Sequence, residues 1–283
     1  MKPNAKICQV CQGSAFRKLF RKNSFNILRC AGCGLVFTEI PEDLDLLDIY
    51  DESYFEGGQD DGYADYLASE KVLRAEFRKS VGLIRKYCGR EDNLKLLEVG
   101  SAYGFFLDEA APFFMCSGIE VSKPAVEFSR KRGHSVVHGI VDNATMERLG
   151  NFDVIVMLDV IEHLPSPSQT IDLLSRHLSP DGIMMIVTGD IGSALAKITG
   201  KFWRLMTPPQ HTFFFSVSTL TRLLRQAGLS NLKINKPWKV VPVGLALYQL
   251  TARLGIKSGW IGKFNTTGVY VNLFDTVRVI AKK

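Results

Sequence analysis

Long hydrophobic runs are missing from this sequence. No window approaches the roughly eighteen uninterrupted apolar residues that a transmembrane helix needs. The first residues, Met1 to Lys6, contain no apolar segment of the kind found in secretory signal peptides. The chain of 283 residues is nevertheless 46% hydrophobic, which is enough to bury a full core. These features predict a cytoplasmic protein with one large domain and a second, smaller unit.

A concentrated basic patch, typical of nucleic-acid-binding domains, is also missing. The formal net charge is +6, which is modest for 283 residues. One basic run does occur near the amino terminus, and a solvated turn is its usual explanation; its residues are Arg17, Lys18, Arg21, Lys22 and Arg29. Nucleic acid is therefore not the expected partner, although this run keeps an RNA-binding alternative open.

The sequence also lacks the third glycine of the dinucleotide-binding motif. Residues 96–107 read as a buried strand, a turn of small residues and the start of a helix. A Gly-x-Gly-x-x-Gly pattern here would need its last glycine at position 105, which is Phe105, so a dehydrogenase is disfavoured. Small residues at 100, 102 and 104 still let the backbone approach a ligand, and the helix start offers free N–H groups to it. The turn is therefore predicted to cradle a nucleotide.

Two more segments support a nucleotide site. Glu120 lies twenty residues after Gly100, at the end of a second apolar run, where a carboxylate can accept both hydroxyls of a ribose. Residues 152–164 form another apolar run that leads into the polar residues Asp159, Glu162 and His163. In a parallel sheet the ends of such strands meet at one edge, where ligands bind.

These three motifs resemble those of the class I S-adenosylmethionine-dependent methyltransferases, over residues 94 to 190. The resemblance implies an α/β fold with a doubly wound, seven-stranded Rossmann-like sheet. It also implies S-adenosylmethionine as cofactor, with S-adenosylhomocysteine as product. The implied contacts are Gly100, Ser101, Ala102 and Gly104 to the methionine portion, Glu120 to the ribose, Val121 and Ile140 to the adenine, and Leu158 with Asp159 at the floor. Asp142 either accepts a hydrogen bond from the adenine amino group or is an exposed aspartate in a turn without contact to the cofactor.

Four of the six cysteines form two pairs, Cys8-x-x-Cys11 and Cys30-x-x-Cys33, with the spacing of a zinc ribbon. Four thiolates leave no open coordination position, so zinc here would be structural. Two disulfides or iron are the alternatives, and a cytoplasmic chain disfavours the disulfides. Cys88 and Cys116 fall outside the pattern and are expected to be thiols without a chemical role.

The predicted domain organisation follows from these motifs. We expect a zinc-ribbon module at residues 1–40 and a methyltransferase domain at 91–283, with insertions near 191–215 and 236–267. Residues 41–90 between them are expected to form a linker and, over 63–88, a lid helix. Short strands are expected at 15–20 and 25–29 in the ribbon. In the main domain we expect strands at 94–99, 114–119, 135–138, 153–157, 183–188, 229–234 and 269–281, and helices from 105, over 124–132, 168–178 and 216–228. The last two strands would form a terminal antiparallel hairpin, as the family resemblance implies.

His211 is the candidate catalytic residue. Its segment resembles the Glu-His-x-x-x-Phe-Ser stretch of zinc-bearing sugar methyltransferases, with Gln210 in place of the glutamate. We expect neutral His211 to act as general base, and a packed structural histidine is the alternative. Glu162 and His163 are expected to shape the site rather than to perform chemistry.

The predicted function is transfer of a methyl group to a carbon or oxygen of a small molecule, with a sugar or lipid-linked metabolite preferred. One alternative is a zinc-ribbon RNA methyltransferase, although the Asn/Asp-Pro-Pro-aromatic motif of base methylation is absent after the fourth strand. Another is a scaffold that keeps the fold but has lost catalysis. The insertion at 236–267 could line an acceptor pocket, form a homodimer seam or rest on a membrane surface.

Overall fold

A computed structural model describes residues 7–41, 44, 66–89, 93–242 and 268–283. Most of the predicted linker and the insertion beyond residue 242 lie outside these ranges. Within them, no helix is both long and apolar enough to cross a membrane.

The amino-terminal module is a small antiparallel sheet. Its strands are β1 (Phe16–Lys22), β2 (Phe25–Cys30) and β3 (Val36–Thr38), in that spatial order. Asn23 and Ser24 both have positive φ, 47° and 68°, which is the backbone of the tight turn that joins twisted strands. The two strands predicted between the cysteine pairs are therefore present.

The main domain alternates strands and helices. Its helices are α1 (Glu70–Cys88), α2 (Phe105–Ala110), α3 (Lys123–Lys131), α4 (Asn143–Leu149), α5 (Pro167–Arg176), α6 (Ala194–Thr199) and α7 (Val217–Gln226). Its strands are β4 (Lys95–Val99), β5 (Met115–Glu120), β6 (Ser135–His138), β7 (Phe152–Leu158), β8 (Leu178–Gly189), β9 (Phe213–Phe214), β10 (Ser230–Asn235), β11 (Lys239–Pro242), β12 (Gly268–Val271) and β13 (Thr276–Lys282).

Seven of these strands form one sheet in the order β10-β13-β8-β7-β4-β5-β6. The five strands from β8 to β6 in this order run parallel, while β13 is antiparallel to both of its neighbours. This confirms the doubly wound, Rossmann-like sheet and its terminal antiparallel pair. The chain moves outward from β4 in one direction through β6 and then returns to β7 on the other side. The carboxyl ends of β4 and β7 therefore flank the point where strand order reverses, which is where such sheets bind ligands.

Helices cover both faces of the sheet, which explains why its central strands are apolar throughout. The core on one face includes Leu97, Ile155 and Ile186 with α5 and α7, and the core on the other includes Leu96, Val154 and Met185 with α1, α2 and α3. Burial on both faces fixes the strand register, and with it the position of each residue at the carboxyl edge.

Two expected elements differ from those observed. Described residues of the lid helix begin with turns at 66–69, and the helix itself starts at Glu70. The strand expected over 269–281 is two strands, because Asn272 accepts a hydrogen bond from the Phe274 N–H and Phe274 takes a positive φ of 55°. This turn separates β13 from β12, which pairs with β11 in a sheet of its own.

The amino-terminal module is joined to the insertion near 191–215. Strand β9 of the insertion pairs with β3, so it becomes the fourth strand of the module's sheet. Val10 and Leu35 of the module are fully buried and belong to the same apolar core as the main sheet. The module therefore packs against the main domain through a shared apolar core.

Candidate active site

The turn after β4 has a backbone that its glycines permit. Gly100 and Gly104 have φ values of +72° and +81°, in the left-handed region. A Cβ atom on Gly100 would lie 2.5 Å from Cγ2 of Val160, and one on Gly104 would lie 2.4 Å from Oγ of Ser129. Close approach to neighbouring protein atoms thus requires these glycines, in addition to the predicted approach to a ligand.

Glu120 ends β5 beside this turn. Its Oε2 accepts a hydrogen bond from the Ala102 N–H at 2.8 Å, and its Oε1 accepts one from the Ser122 N–H at 2.8 Å. Burial raises the pKa of Glu120, and these backbone N–H groups act in the opposite direction. Each oxygen keeps a second lone pair, so the carboxylate can still accept from two hydroxyls. Glu120 therefore ties the turn to β5 and remains able to bind a diol.

Glu98 is a buried carboxyl that the sequence analysis did not assign. It lies on β4 opposite Gly118, and only 4% of its surface is exposed. Burial, and then the charge of Glu120, raise the pKa of Glu98 well above its ordinary value. Its Oε2 and the Oγ of Ser101 are buried without a hydrogen-bond partner among the described residues. A carboxylate within an apolar run is the signal that could have identified Glu98.

The adenine side of the predicted site lies at the ends of β5 and β6. The Val121 carbonyl accepts from Nε2 of His138 at 3.0 Å, and Ile140 is half-buried in the following loop. Asp142 caps α4 by accepting the Thr145 N–H at 2.8 Å, which lowers the pKa of Asp142. This contact supports the turn interpretation of Asp142 over the adenine contact.

The end of β7 carries Leu158 and Asp159. Asp159 has a positive φ of 56°, and its Oδ2 lies 2.6 Å from Nζ of Lys239. Lys239 also lies 3.2 Å from Oε1 of Glu76 on α1. Sequence reasoning missed Lys239 and Glu76, because both are far from the motifs along the chain.

A single turn of 3₁₀ helix, Ile161–His163, follows β7 and meets the segment that carries His211. The two imidazole rings of His163 and His211 lie edge to face, with centroids 4.6 Å apart. Ligand atoms of Glu162, His163 and His211 lie within 4.8 Å of one another. Burial, and then the charge of Asp159, raise the pKa of Glu162 to about 8. The structure thus brings together three residues of which only His211 was predicted to be catalytic.

His211 is held in one orientation. Its Nδ1 lies 2.7 Å from the Leu205 carbonyl oxygen, so Nδ1 carries the proton and Nε2 the lone pair. The ring is half-buried, and burial, together with nearby His163, lowers the pKa of His211 to about 3. His211 is therefore neutral at neutral pH.

The four paired cysteines converge in the amino-terminal module. Sγ of Cys8 lies 3.5 Å from that of Cys33, and Sγ of Cys11 lies 3.4 Å from that of Cys30. All four sulfurs lie within 4.8 Å of one another. Zinc–sulfur bonds of about 2.3 Å place four thiolates roughly 3.8 Å apart, so this arrangement fits a tetrahedral zinc ion.

Comparison with known proteins agrees with this fold and site. A family model described as a methyltransferase domain matches residues 62–234, more than half of the chain. The chain belongs to the class I S-adenosylmethionine-dependent methyltransferases. The ubiquinone biosynthesis O-methyltransferase of Thiobacillus denitrificans is 28% identical over 148 residues, which are 48% of this chain and 64% of that enzyme.

Two solved methyltransferases share the fold. One, from Archaeoglobus fulgidus, has a TM-score of 0.53 and 16% identity and covers 81% of this chain and 98% of its own. The other is the magnesium protoporphyrin IX methyltransferase of Synechocystis with bound S-adenosylhomocysteine, at a TM-score of 0.51 and 13% identity, covering 83% of this chain and 99% of its own. The matched region spans less than two thirds of these O-methyltransferases: 64% of the Thiobacillus denitrificans enzyme and 65% of the Aromatoleum aromaticum enzyme.

The residues of this methyltransferase fit the family's cofactor. The left-handed turn at Gly100 and Gly104 lies at the point where strand order reverses, and Glu120 offers lone pairs for a ribose beside it. The buried, unpartnered oxygens belong to Glu98, near the end of β4, and to Ser101, in the turn that follows. Such polar atoms are expected where a ligand supplies the missing partner.

Proposed function

We propose that this chain transfers the methyl group of S-adenosylmethionine to an oxygen or carbon atom of a small organic acceptor. The observation that supports it most is Glu120, whose carboxylate ends β5 beside the glycine turn with lone pairs to spare. The O-methyltransferase relatives favour oxygen as the acceptor atom. The RNA and scaffold alternatives, the homodimer and the cytoplasmic location stay predictions.

In this proposal the cofactor occupies the carboxyl edge of the sheet. The turn residues Gly100, Ser101, Ala102 and Gly104 hold its methionine portion. Glu120 accepts the ribose hydroxyls, Val121 and Ile140 flank the adenine, and Leu158 with Asp159 forms the floor. The bound sulfonium supplies an activated methyl group, so the protein's task is to hold the acceptor in line with it.

His211 is the residue we assign to the acceptor's proton. Its Nε2 lone pair is available at neutral pH, because Nδ1 donates to the Leu205 carbonyl. The Thr212 N–H donates a hydrogen bond to the Glu162 carbonyl at 2.9 Å, which holds the segment that carries His211 against the 3₁₀ turn after β7. Proton transfer to a positioned group contributes about 10²-fold or more to rate.

Cofactor binding is tested by calorimetry with S-adenosylmethionine and S-adenosylhomocysteine. The wild-type chain should bind both, and Glu120→Gln should weaken both by about tenfold or more, because a charged acceptor of two hydroxyls is lost. Glu127→Gln, on the exposed side of α3, is the matched control and should bind as wild type. Absence of heat with either compound would favour the scaffold alternative.

Methyl transfer is tested with isotope-labelled donor and small-molecule cell extract. The expected product is a metabolite in which one hydrogen is replaced by the labelled methyl group. His211→Asn should lower its formation by about 10²-fold with unchanged heat of cofactor binding. Wild-type turnover in this variant would refute a role for His211 in catalysis.

A further inference from the structure

Asp275 is a buried aspartate directly before β13, outside the residues assigned to the cofactor and the acceptor. Only 1% of its surface is exposed. Its carboxylate accepts three hydrogen bonds from the segment that leads to His211. One comes from Nε1 of Trp203 at 2.9 Å, and two come from Arg204, whose Nε and Nη2 each lie 3.0 Å from a carboxylate oxygen. Asp275 therefore holds two neighbouring residues that lie about 70 positions earlier in the chain.

The pair between Arg204 and Asp275 is bidentate. Two N–H groups of one guanidinium bonded to one carboxylate fix the arginine in orientation as well as in position. Nη2 of Arg204 also lies 3.5 Å from Oγ1 of Thr276. The side chain of Asp275 is 2% exposed and that of Arg204 is 32% exposed, so solvent screens the pair only in part. Arg204 is therefore held to the start of β13 in one orientation.

The residue after Arg204 carries the carbonyl group that orients His211. Nδ1 of His211 lies 2.7 Å from the Leu205 carbonyl oxygen. The Leu205 side chain packs against the end of β8, where a Cβ atom on Gly189 would lie 2.7 Å from Cδ1 of Leu205 and 3.0 Å from Cη2 of Trp203. Glycine at this position leaves room for both side chains. The carbonyl that receives the His211 proton thus belongs to a turn whose position the main sheet sets.

We propose that Asp275 and Arg204 are positioning residues that fix the tautomer and the direction of the His211 imidazole through the Leu205 carbonyl. A neutral imidazole that donates from one nitrogen carries its lone pair on the other, so the donor bond decides which nitrogen can act as a base. A base oriented by a third group is the usual arrangement at sites of proton abstraction. This inference rests on the proposed function, in which Nε2 of His211 takes the acceptor's proton.

The tautomer decides whether His211 can act in that step. With the proton on Nδ1, the acceptor's O–H bond breaks and its proton passes to Nε2, while the oxygen forms a bond to the methyl carbon. The methyl–sulfur bond breaks with its electron pair remaining on sulfur. With the proton on Nε2, the lone pair would face the Leu205 carbonyl oxygen and could not receive a proton from the acceptor. Displacement of this carbonyl should therefore lower turnover, while the bonds of Glu120 to the glycine turn stay in place.

Nuclear magnetic resonance of the full-length protein with ¹⁵N-labelled histidine tests the inference. Long-range proton–nitrogen correlations show which ring nitrogen carries the proton, and the His211→Asn variant identifies the signals of His211. The wild type should show His211 with its proton on Nδ1 alone. Asp275→Asn and Arg204→Lys should each give a mixture of tautomers and about tenfold lower turnover, with unchanged heat of cofactor binding. Lysine keeps the positive charge near His211, so Arg204→Lys tests the bidentate geometry.

Asp172→Asn and Arg176→Lys are the matched controls. They alter a second pair of the same chemistry, in which Nη1 of Arg176 lies 2.8 Å from Oδ2 of Asp172 on the exposed side of α5. Exposed pairs of this kind contribute little to stability. Both controls should therefore keep the tautomer and the turnover of the wild type.

The outcomes separate this inference from the proposed function. Mixed tautomers and reduced turnover in the two variants, but not in the controls, would support the positioning role. A wild-type His211 protonated on Nε2, an unchanged tautomer in both variants, or full turnover despite mixed tautomers would overturn it. Absence of cofactor heat or of a methylated product with the wild type would instead refute the proposed function, because the tautomer is observed without turnover. Circular dichroism checks the fold of each variant, and the partly exposed Arg204 provides the test if Asp275→Asn does not fold.

Discussion

At the scale of single residues, Glu98 is a side chain whose charge state depends on burial in the folded chain. Burial raises its pKa above the ordinary 4.5, so the folded chain holds a proton that the unfolded chain releases. Stability should therefore fall as pH rises from about 4.5 towards the raised pKa. Glu98→Gln imitates the neutral carboxyl and removes this contribution.

We expect the stability difference, Glu98→Gln minus wild type, to become more favourable as pH rises. Urea unfolding at several pH values between about 5 and 8 measures it, and other buried carboxyls cancel because both proteins contain them. A difference that does not change with pH would mean that Glu98 ionises in the folded chain as it does in the unfolded chain.

Residues within local motifs could be predicted from the sequence, and residues that depend on distant contacts could not. Gly100 follows β4 and Glu120 ends β5, at the spacing expected for the family, and the structure brings the glycine turn and Glu120 together at the reversal of strand order. Lys239 reaches Asp159 across 80 positions of the chain, and no local pattern signals such a pair. Glu162 was noted in the sequence, but that its Oε2 is buried without a hydrogen-bond partner among the described residues depends on the fold.

At the scale of elements, the segment of His211 depends on the amino-terminal module. Oγ1 of Thr38, at the end of β3, donates to the His211 carbonyl at 2.9 Å, and the Thr38 N–H donates to the Thr212 carbonyl at 2.8 Å. Asn23, in the β1–β2 turn, donates to the Pro208 carbonyl at 3.0 Å. Three bonds from the module therefore fix the backbone on both sides of His211.

Thr38→Val should act as a mutation of a positioning residue. It removes the hydroxyl bond to His211 but keeps the backbone bond and nearly the same shape. We expect turnover to fall by about tenfold, because small displacements of a reacting group are costly, with cofactor affinity unchanged. Thr170→Val is the matched control, since the Thr170 hydroxyl also donates to a backbone carbonyl, that of the N-cap residue Ser166 at 3.1 Å, at the start of α5. Equal effects of the two variants on turnover would contradict the positioning role.

The same contacts explain which elements the sequence could predict. Strands β4 to β8 were predicted because their apolar runs and turns are local signals. Strand β9, by contrast, is only two residues long, Phe213–Phe214, and exists because β3 offers it a partner more than 170 positions earlier. The sequence predicts an insertion near 191–215, but it does not predict the pairing of this segment with the module.

At the scale of the whole molecule, the module that carries the cysteine cluster packs directly against the main domain. Phe37 of β3 packs near Phe213 of β9, with ring centroids 6.3 Å apart, while Val10 and Leu35 enter the main core. The glycine turn and Glu120 lie at the carboxyl ends of β4 and β5, and the two Glu120 hydrogen bonds described above go to Ala102 and Ser122, outside the module. Disruption of the four-cysteine cluster should therefore loosen the His211 segment more than the glycine turn.

Hydrogen exchange of Cys30→Ser measures this difference. Small domains built around four cysteines generally depend on a bound metal to fold. We therefore expect faster amide exchange in Cys30→Ser over 16–38 and, through the lost β3–β9 pairing, over 205–215. Strands β4 and β5 should keep their protection, and cofactor heat should persist. Cys88→Ser is the matched control, because Cys88 lies at the end of α1 outside the four-sulfur cluster. If protection over 205–215 were unchanged in Cys30→Ser, the His211 segment would be held by the methyltransferase domain alone, and the module would have no part in arranging the acceptor side of the site.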